Sequence, residues 1–166
     1  MPQAPVPIEH VRQGQYFHRH SIRTKPLPNT LPDFTAQDAL VAIMITVSVS
    51  DEAIRTSELV AIELQVNHLP VFADYKFETV KAVAQTVYRL MGEDDGLDTL
   101  FAMVRTALPE RLFETAYALA CDIAAADGKL GQGELRLLEE VRDELNIDRL
   151  HAAAIERGAR ARHLTL

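Results

Sequence analysis

The chain has 166 residues, 48% of them hydrophobic, and a formal net charge of −7. That is enough apolar material for one core of ordinary size and too little for two. Residues 1–32 are net +3 (Arg12, Arg19, Arg23 and Lys25 against Glu9), so residues 33–166 carry −10, a balance that disfavours phosphate backbones and favours cations or basic protein surfaces.

Six of the eight prolines fall within residues 1–32, where each fixes φ and removes a backbone donor. This predicts an extended or disordered N-terminal arm, with residues 33–166 forming the folded domain. The arm's basic residues are read as folding back on the acidic domain, and its His10, His18 and His20 are an unspecific metal signal. The apolar run Ala39 to Val49 is β-branched and by itself fits a buried strand or a buried helix. Leu59, Ile62, Val66 and Leu69 then follow at helical spacing, as do Phe77, Val80, Ala84, Val87 and Met91. The latter helix ends at Gly92-Glu-Asp-Asp-Gly96, and a shorter one with Leu97, Leu100, Phe101 and Val104 stops near Pro109. Phe113 to Ala126 is alanine-rich and helical in pattern. Leu135, Leu138, Val141 and Leu145 give another amphipathic helix, and Arg149 to Arg162 a last one with a basic end.

Two segments align without a gap at a shift of 76 residues: Asp51-Glu-Ala-Ile54-Arg-Thr-Ser-Glu58-Leu59 and Asp127-Gly-Lys-Leu130-Gly-Gln-Gly-Glu134-Leu135. Tandem copies of one unit share secondary structure, so Ala39 to Val49 is read as a helix like its counterpart. The expected fold is an all-α bundle of about seven helices containing two pseudo-repeated helical hairpins.

The segment from Leu108 onward resembles the TerB family of tellurite-resistance-associated proteins, whose fold also occurs in DjlA-type co-chaperones. The residues that carry the resemblance are Ala126-Asp127-Gly128, Leu130, Glu134 and the leucine-rich helix ending in Leu145-Asn146-Ile147. The first copy departs from the pattern, with Glu52 in place of glycine and Arg55 where a small capping residue is expected. The resemblance implies a cytoplasmic helical domain linked to tellurite and other stress resistance, with acidic residues holding a divalent cation and no catalytic reaction.

Asp51, Glu58, Asp127 and Glu134 would make an all-oxygen metal site, with Asp122 as a fifth contributor and an aliphatic plug, Ile54 or Leu130, between the acids of each copy. Such donors suit Ca²⁺, Mg²⁺ or Mn²⁺ better than Zn²⁺. The same residues also fit a purely structural role, with Glu134 as an N3 acid satisfying amides at a helix start and Asp127-Gly128 as a helix-ending turn. Two carboxylates ~5 Å apart repel by roughly 3 kcal/mol at an effective dielectric of about 20, so a close cluster of four calls for a cation or protons, and a scattered set does not. Glu93, Asp94, Asp95 and Asp98 form a secondary acidic turn, more simply a solvated helix terminus. His68 and His151 are read as helix-end or surface residues, Ser48 and Ser50 lack a companion base, and Cys121 is a small core residue. No apolar run is long enough to cross a bilayer of ~30 Å, and the expectation is a cytoplasmic protein with an unknown protein partner, neither bound to nucleic acid nor inserted in a membrane. A metal-free helical interaction module is the main alternative, and an enzyme ranks last.

Overall fold

The computed structural model describes residues 33–49, 56–126, 128 and 130–166. The expectations for residues 1–32, and for Ser50, Asp51, Glu52, Ile54, Arg55 and Asp127, lie outside the described residues. Among the described residues there are seven α-helices and no strand: α1 (Ala36–Ser48), α2 (Thr56–His68), α3 (Phe77–Met91), α4 (Gly96–Ala107), α5 (Phe113–Ala124), α6 (Gln132–Glu144) and α7 (Arg149–Arg162). Single 3₁₀ turns at Pro70–Phe72 and Glu110–Leu112 lead towards α3 and α5. No helix among the described residues is long and apolar enough to cross a membrane.

The β-branched run is a helix because it is the hub of the fold. Every residue of α1 from Asp38 to Ser48 is buried, and the helix packs against α2, α3, α4, α5 and α6. Val, Ile and Thr are weak helix formers, yet burial on all sides outweighs a few tenths of a kcal/mol per residue. The hydroxyls of Thr46 and Ser48 are satisfied within the helix, donating to the carbonyls of Ala42 and Met44 at 2.7 and 3.1 Å. Thr35 and Asp38 close a reciprocal capping box at its start, with Asp38 N–H on Thr35 Oγ1 at 3.1 Å and Thr35 N–H on Asp38 Oδ2 at 2.9 Å.

α5 lies against α1 at the centre of the bundle. α2 packs on both α1 and α5, α6 does the same, α3 and α4 cover α1 and each other, and α7 lies on α5. The turn from α3 to α4 depends on Gly96, which is buried: a Cβ there would overlap the carbonyl oxygen of Leu90. α6 ends in a Schellman turn, with Asn146 at φ 48°, its N–H on Asp143 O at 3.1 Å and the Ile147 N–H on Arg142 O at 2.9 Å. Gly128, at φ 74°, supplies a left-handed residue just after α5, a conformation that costs glycine little.

The amphipathic stripes differ in register from the leucine pattern. In α2 the inward face carries Glu58, Ile62 and Val66, while Leu59 is 50% exposed; in α6 it carries Glu134, Leu137, Leu138 and Val141, while Leu135 is 40% exposed. A repeat of four residues from Ile62 and Leu138 leads back to the glutamates, so the acids occupy the core-facing positions and the adjacent leucines turn outward. In α3 the buried face is Val83, Val87 and Leu90, with Phe77 exposed at the helix start.

Candidate functional site

The two acidic turns begin and end at equivalent places. α1 ends at Ser48 and α5 at Ala124, α2 spans Thr56–His68 and α6 spans Gln132–Glu144, so each boundary recurs at the 76-residue shift. The helix ends are alike in detail: the Val49 N–H meets the carbonyls of Ile45 and Val47, and the Ala125 N–H those of Cys121 and Ile123.

Glu58 and Glu134 are therefore each the third residue of their helix, and they are 3% and 1% exposed. For Glu134, Oε2 accepts the Gly131 N–H at 2.6 Å, the contact expected of an acid in the first turn. An exposed carboxylate does that work at little cost, because solvent continues to hydrate it. Burial is different, since an ionised side chain removed from water requires fixed hydrogen bonds or opposite charge around it. The sequence marked both residues as candidates, and it concealed their burial, because a glutamate beside a leucine reads as the solvent side of an amphipathic helix.

Other members of the expected site fall elsewhere. Leu130 is 50% exposed and plugs nothing, since it sits at the surface before α6 begins. Asp122, read as a fifth contributor to the acidic set, has other partners: its Oδ1 accepts from Arg162 Nη2 at 2.5 Å and lies 3.6 Å from His163 Nε2, and its Oδ2 accepts from Gln65 Nε2 at 3.4 Å. Positive charge from α7 already faces that carboxylate. Among the described residues, no group of three or more His, Cys, Asp or Glu side chains is arranged to hold a metal ion. Asp51 and Asp127, which would complete the four-carboxylate set, are outside them.

The secondary acidic turn is open to solvent at Glu93, Asp94, Asp95 and Asp98. His68 bonds the Leu64 carbonyl at 2.9 Å in the last turn of α2, in keeping with a helix-end role, and His151 pairs with Glu114 of α5 at 2.6 Å. Cys121 is buried, and desolvation pushes its thiol up to about 12, so it stays protonated in the folded protein. Two tyrosine–carboxylate pairs had no sequence signal: Tyr75 on Asp38 at 2.7 Å and Tyr117 on Glu156 at 2.6 Å. Burial, then the bonded carboxylate, holds each phenol well above its ordinary range. A surface groove at the α6–α7 junction is lined by Arg142, Asp143 and residues 146–149, but the Asp148 carboxylate there is engaged with the N–H groups of Leu150 and His151.

No family model, curated protein or solved structure matches the chain.

Proposed function

We propose that this chain is a non-enzymatic, TerB-like helical domain of the kind associated with tellurite resistance and stress response, and that it holds a divalent cation through Asp51, Glu58, Asp127 and Glu134. The observation that carries the reading is the burial of Glu58 and Glu134 at the same helical position, each in the first turn after an acidic segment. A capping role asks for an acid at that position and does not ask for it to be inside the protein. A cation shared by carboxylates from both hairpins would add to the contacts these buried side chains already make and would offset repulsion among carboxylates brought close together. The reciprocal packing of α2 on α5 and of α6 on α1 brings the helices of the two hairpins together. The donor chemistry, carboxylate oxygen throughout, fits Ca²⁺, Mg²⁺ or Mn²⁺.

The test is thermal melting of chelator-treated protein with each of Ca²⁺, Mg²⁺, Mn²⁺ and Zn²⁺, repeated on Glu58→Gln and Glu134→Gln. A bound ion at about 100 times its Kd adds ~2.7 kcal/mol of stability. The expected result is a rise in Tm with a hard cation that both variants lose. A flat response of the wild-type protein to all four ions overturns the metal reading.

A second reading, a metal-free interaction module, draws on the outward face of α2, where Leu59, Val60 and Leu64 are all about half exposed. Scattered apolar residues are normal at surfaces, whereas three neighbours on one helix make a patch. A partner that protects α2 amides from hydrogen exchange, with no response to cations, would favour it.

A further inference from the structure

The seventh helix is attached to the bundle in a different manner from the other six. α7 packs on α5, and the only side chains it buries are Ala152 and Ala159, with Ile155 partly covered and Leu150 exposed. The apolar area that α7 itself contributes is therefore small, since an alanine side chain removes little area from water, and the larger buried side chains at this contact, Tyr117 and Cys121, belong to α5. The directional contacts are polar and run along its length. His151 Nδ1 lies 2.6 Å from Glu114 Oε1, Tyr117 donates to Glu156 Oε1 at 2.6 Å, and Arg162 donates to Asp122 Oδ1 at 2.5 Å. These pairs advance in the same sense on both helices, so α7 runs alongside α5 in parallel. The charges are complementary: α7 carries Arg149, Arg157, Arg160 and Arg162 against Glu156, and α5 carries Glu114 and Asp122.

Cys121 is buried on the stripe of α5 that includes Glu114 and Tyr117, and it lies between Tyr117 and Asp122, whose partners Glu156 and Arg162 are both on α7. We infer that α7 is a strap that undocks from α5 as a unit while the rest of the bundle stays folded, uncovering the α5 face around Tyr117 and Cys121. Two physical facts lead there. Ion pairs that solvent reaches contribute ~0–1 kcal/mol each and weaken with salt; here these are Arg162–Asp122, through its exposed arginine, and His151–Glu114 when the imidazole is protonated, whereas the α1–α5 contact is an apolar core. Elements with few buried apolar contacts open at lower free energy than the global unfolding of the domain. The strap is a conformational device independent of any cation held by the acidic turns.

Cys121 is the chain's single cysteine, so its reaction with a disulfide reagent such as DTNB reports the opening in the full-length protein without any added label. The labelling rate is measured against urea and against salt at fixed pH, with circular dichroism followed in parallel. The expected result is labelling with a urea dependence well below that of global unfolding, because a single helix exposes little surface. Raising the ionic strength from about 0.01 to about 1 M shortens the screening length from ~30 to ~3 Å and accelerates labelling by about ten-fold, with the helical signal retained. The pair Glu114→Gln with Asp122→Asn accelerates it similarly at low salt and removes most of the salt effect. Arg105→Gln, which breaks the pair with Glu144 between α4 and α6, leaves the labelling rate unchanged relative to global stability. A urea slope equal to that of global unfolding overturns the inference, as does a rate insensitive to both salt and the α5 substitutions.

Discussion

The Tyr75 hydroxyl donates to Asp38 Oδ1 at 2.7 Å, tying the approach to α3 to the first turn of α1. The other carboxylate oxygen of Asp38 accepts from the backbone N–H and the hydroxyl of Thr35, at 2.9 and 2.7 Å. One nearly buried carboxylate thus starts the central helix and anchors a distant loop, and Gln37 reinforces the junction by donating to the Val71 carbonyl at 2.9 Å. Asp38→Ala removes a capping box and leaves a half-buried phenol without its acceptor, at a combined cost of about 3 kcal/mol. Tyr75→Phe removes one bond to a charged acceptor and costs about 1.5 kcal/mol. Urea denaturation of both variants and of the double variant measures this, and full additivity of the two losses would contradict the shared carboxylate.

Gly96 and Gly92 flank one turn and differ in how they tolerate alanine. A Cβ on Gly96 meets the Leu90 main chain, which has no rotamer to escape into, so Gly96→Ala destabilises by about 3 kcal/mol. At Gly92 the nearest atom to an added Cβ is the Arg89 carbonyl oxygen at 3.4 Å and φ is −85°, so Gly92→Ala stays within ~1 kcal/mol of wild type. Equal losses at the two sites would refute the close approach.

Stability falls in alkali in a way that depends on Cys121. The buried thiol titrates at about 12 against 9.0 for the free group, so the unfolded chain releases this proton first. Its contribution is intact below about pH 9 and is lost as pH rises towards 12. The phenols of Tyr75 and Tyr117, also raised, add to the decline once pH passes their ordinary value of 10.0. Chemical denaturation across this range, comparing wild type with Cys121→Ala, isolates the thiol, and parallel curves would exclude its role.

Asp148 caps α7, accepting from the N–H groups of Leu150 and His151 at 2.8 and 3.3 Å, and those bonds lower its pKa. Its contribution is present above the ordinary carboxyl range and disappears as pH falls through the lowered value. Asp148→Asn keeps an acceptor and lowers Tm less than Asp148→Ala at neutral pH, and in strong acid the wild-type advantage over the asparagine variant vanishes. Thermal melts at both pH values test the order, and an alanine variant as stable as wild type would rule out the cap.

The sequence by itself determined the all-helical class, the number of helices and some of their limits, among them the ends of α3 and α4 and both ends of α7. Hydrophobic spacing, the Gly92 and Pro109 stops and the basic end of α7 are local signals that any helix carries along its own length. Local patterning did not carry the hardest element: the β-branched run of α1 was read as a helix only by comparison with its 76-residue counterpart. Only the tertiary structure decided which way the stripes face. Glu58 and Glu134 enter the protein while Leu59 and Leu135 leave it, because the rotation of a helix is fixed by the neighbours it packs against, here α1 and α5, and a one-residue change of register turns the face by about 100°. The same holds for Asp122, whose partners Gln65 and Arg162 are 57 and 40 residues away and become neighbours only when α2 and α7 close on α5.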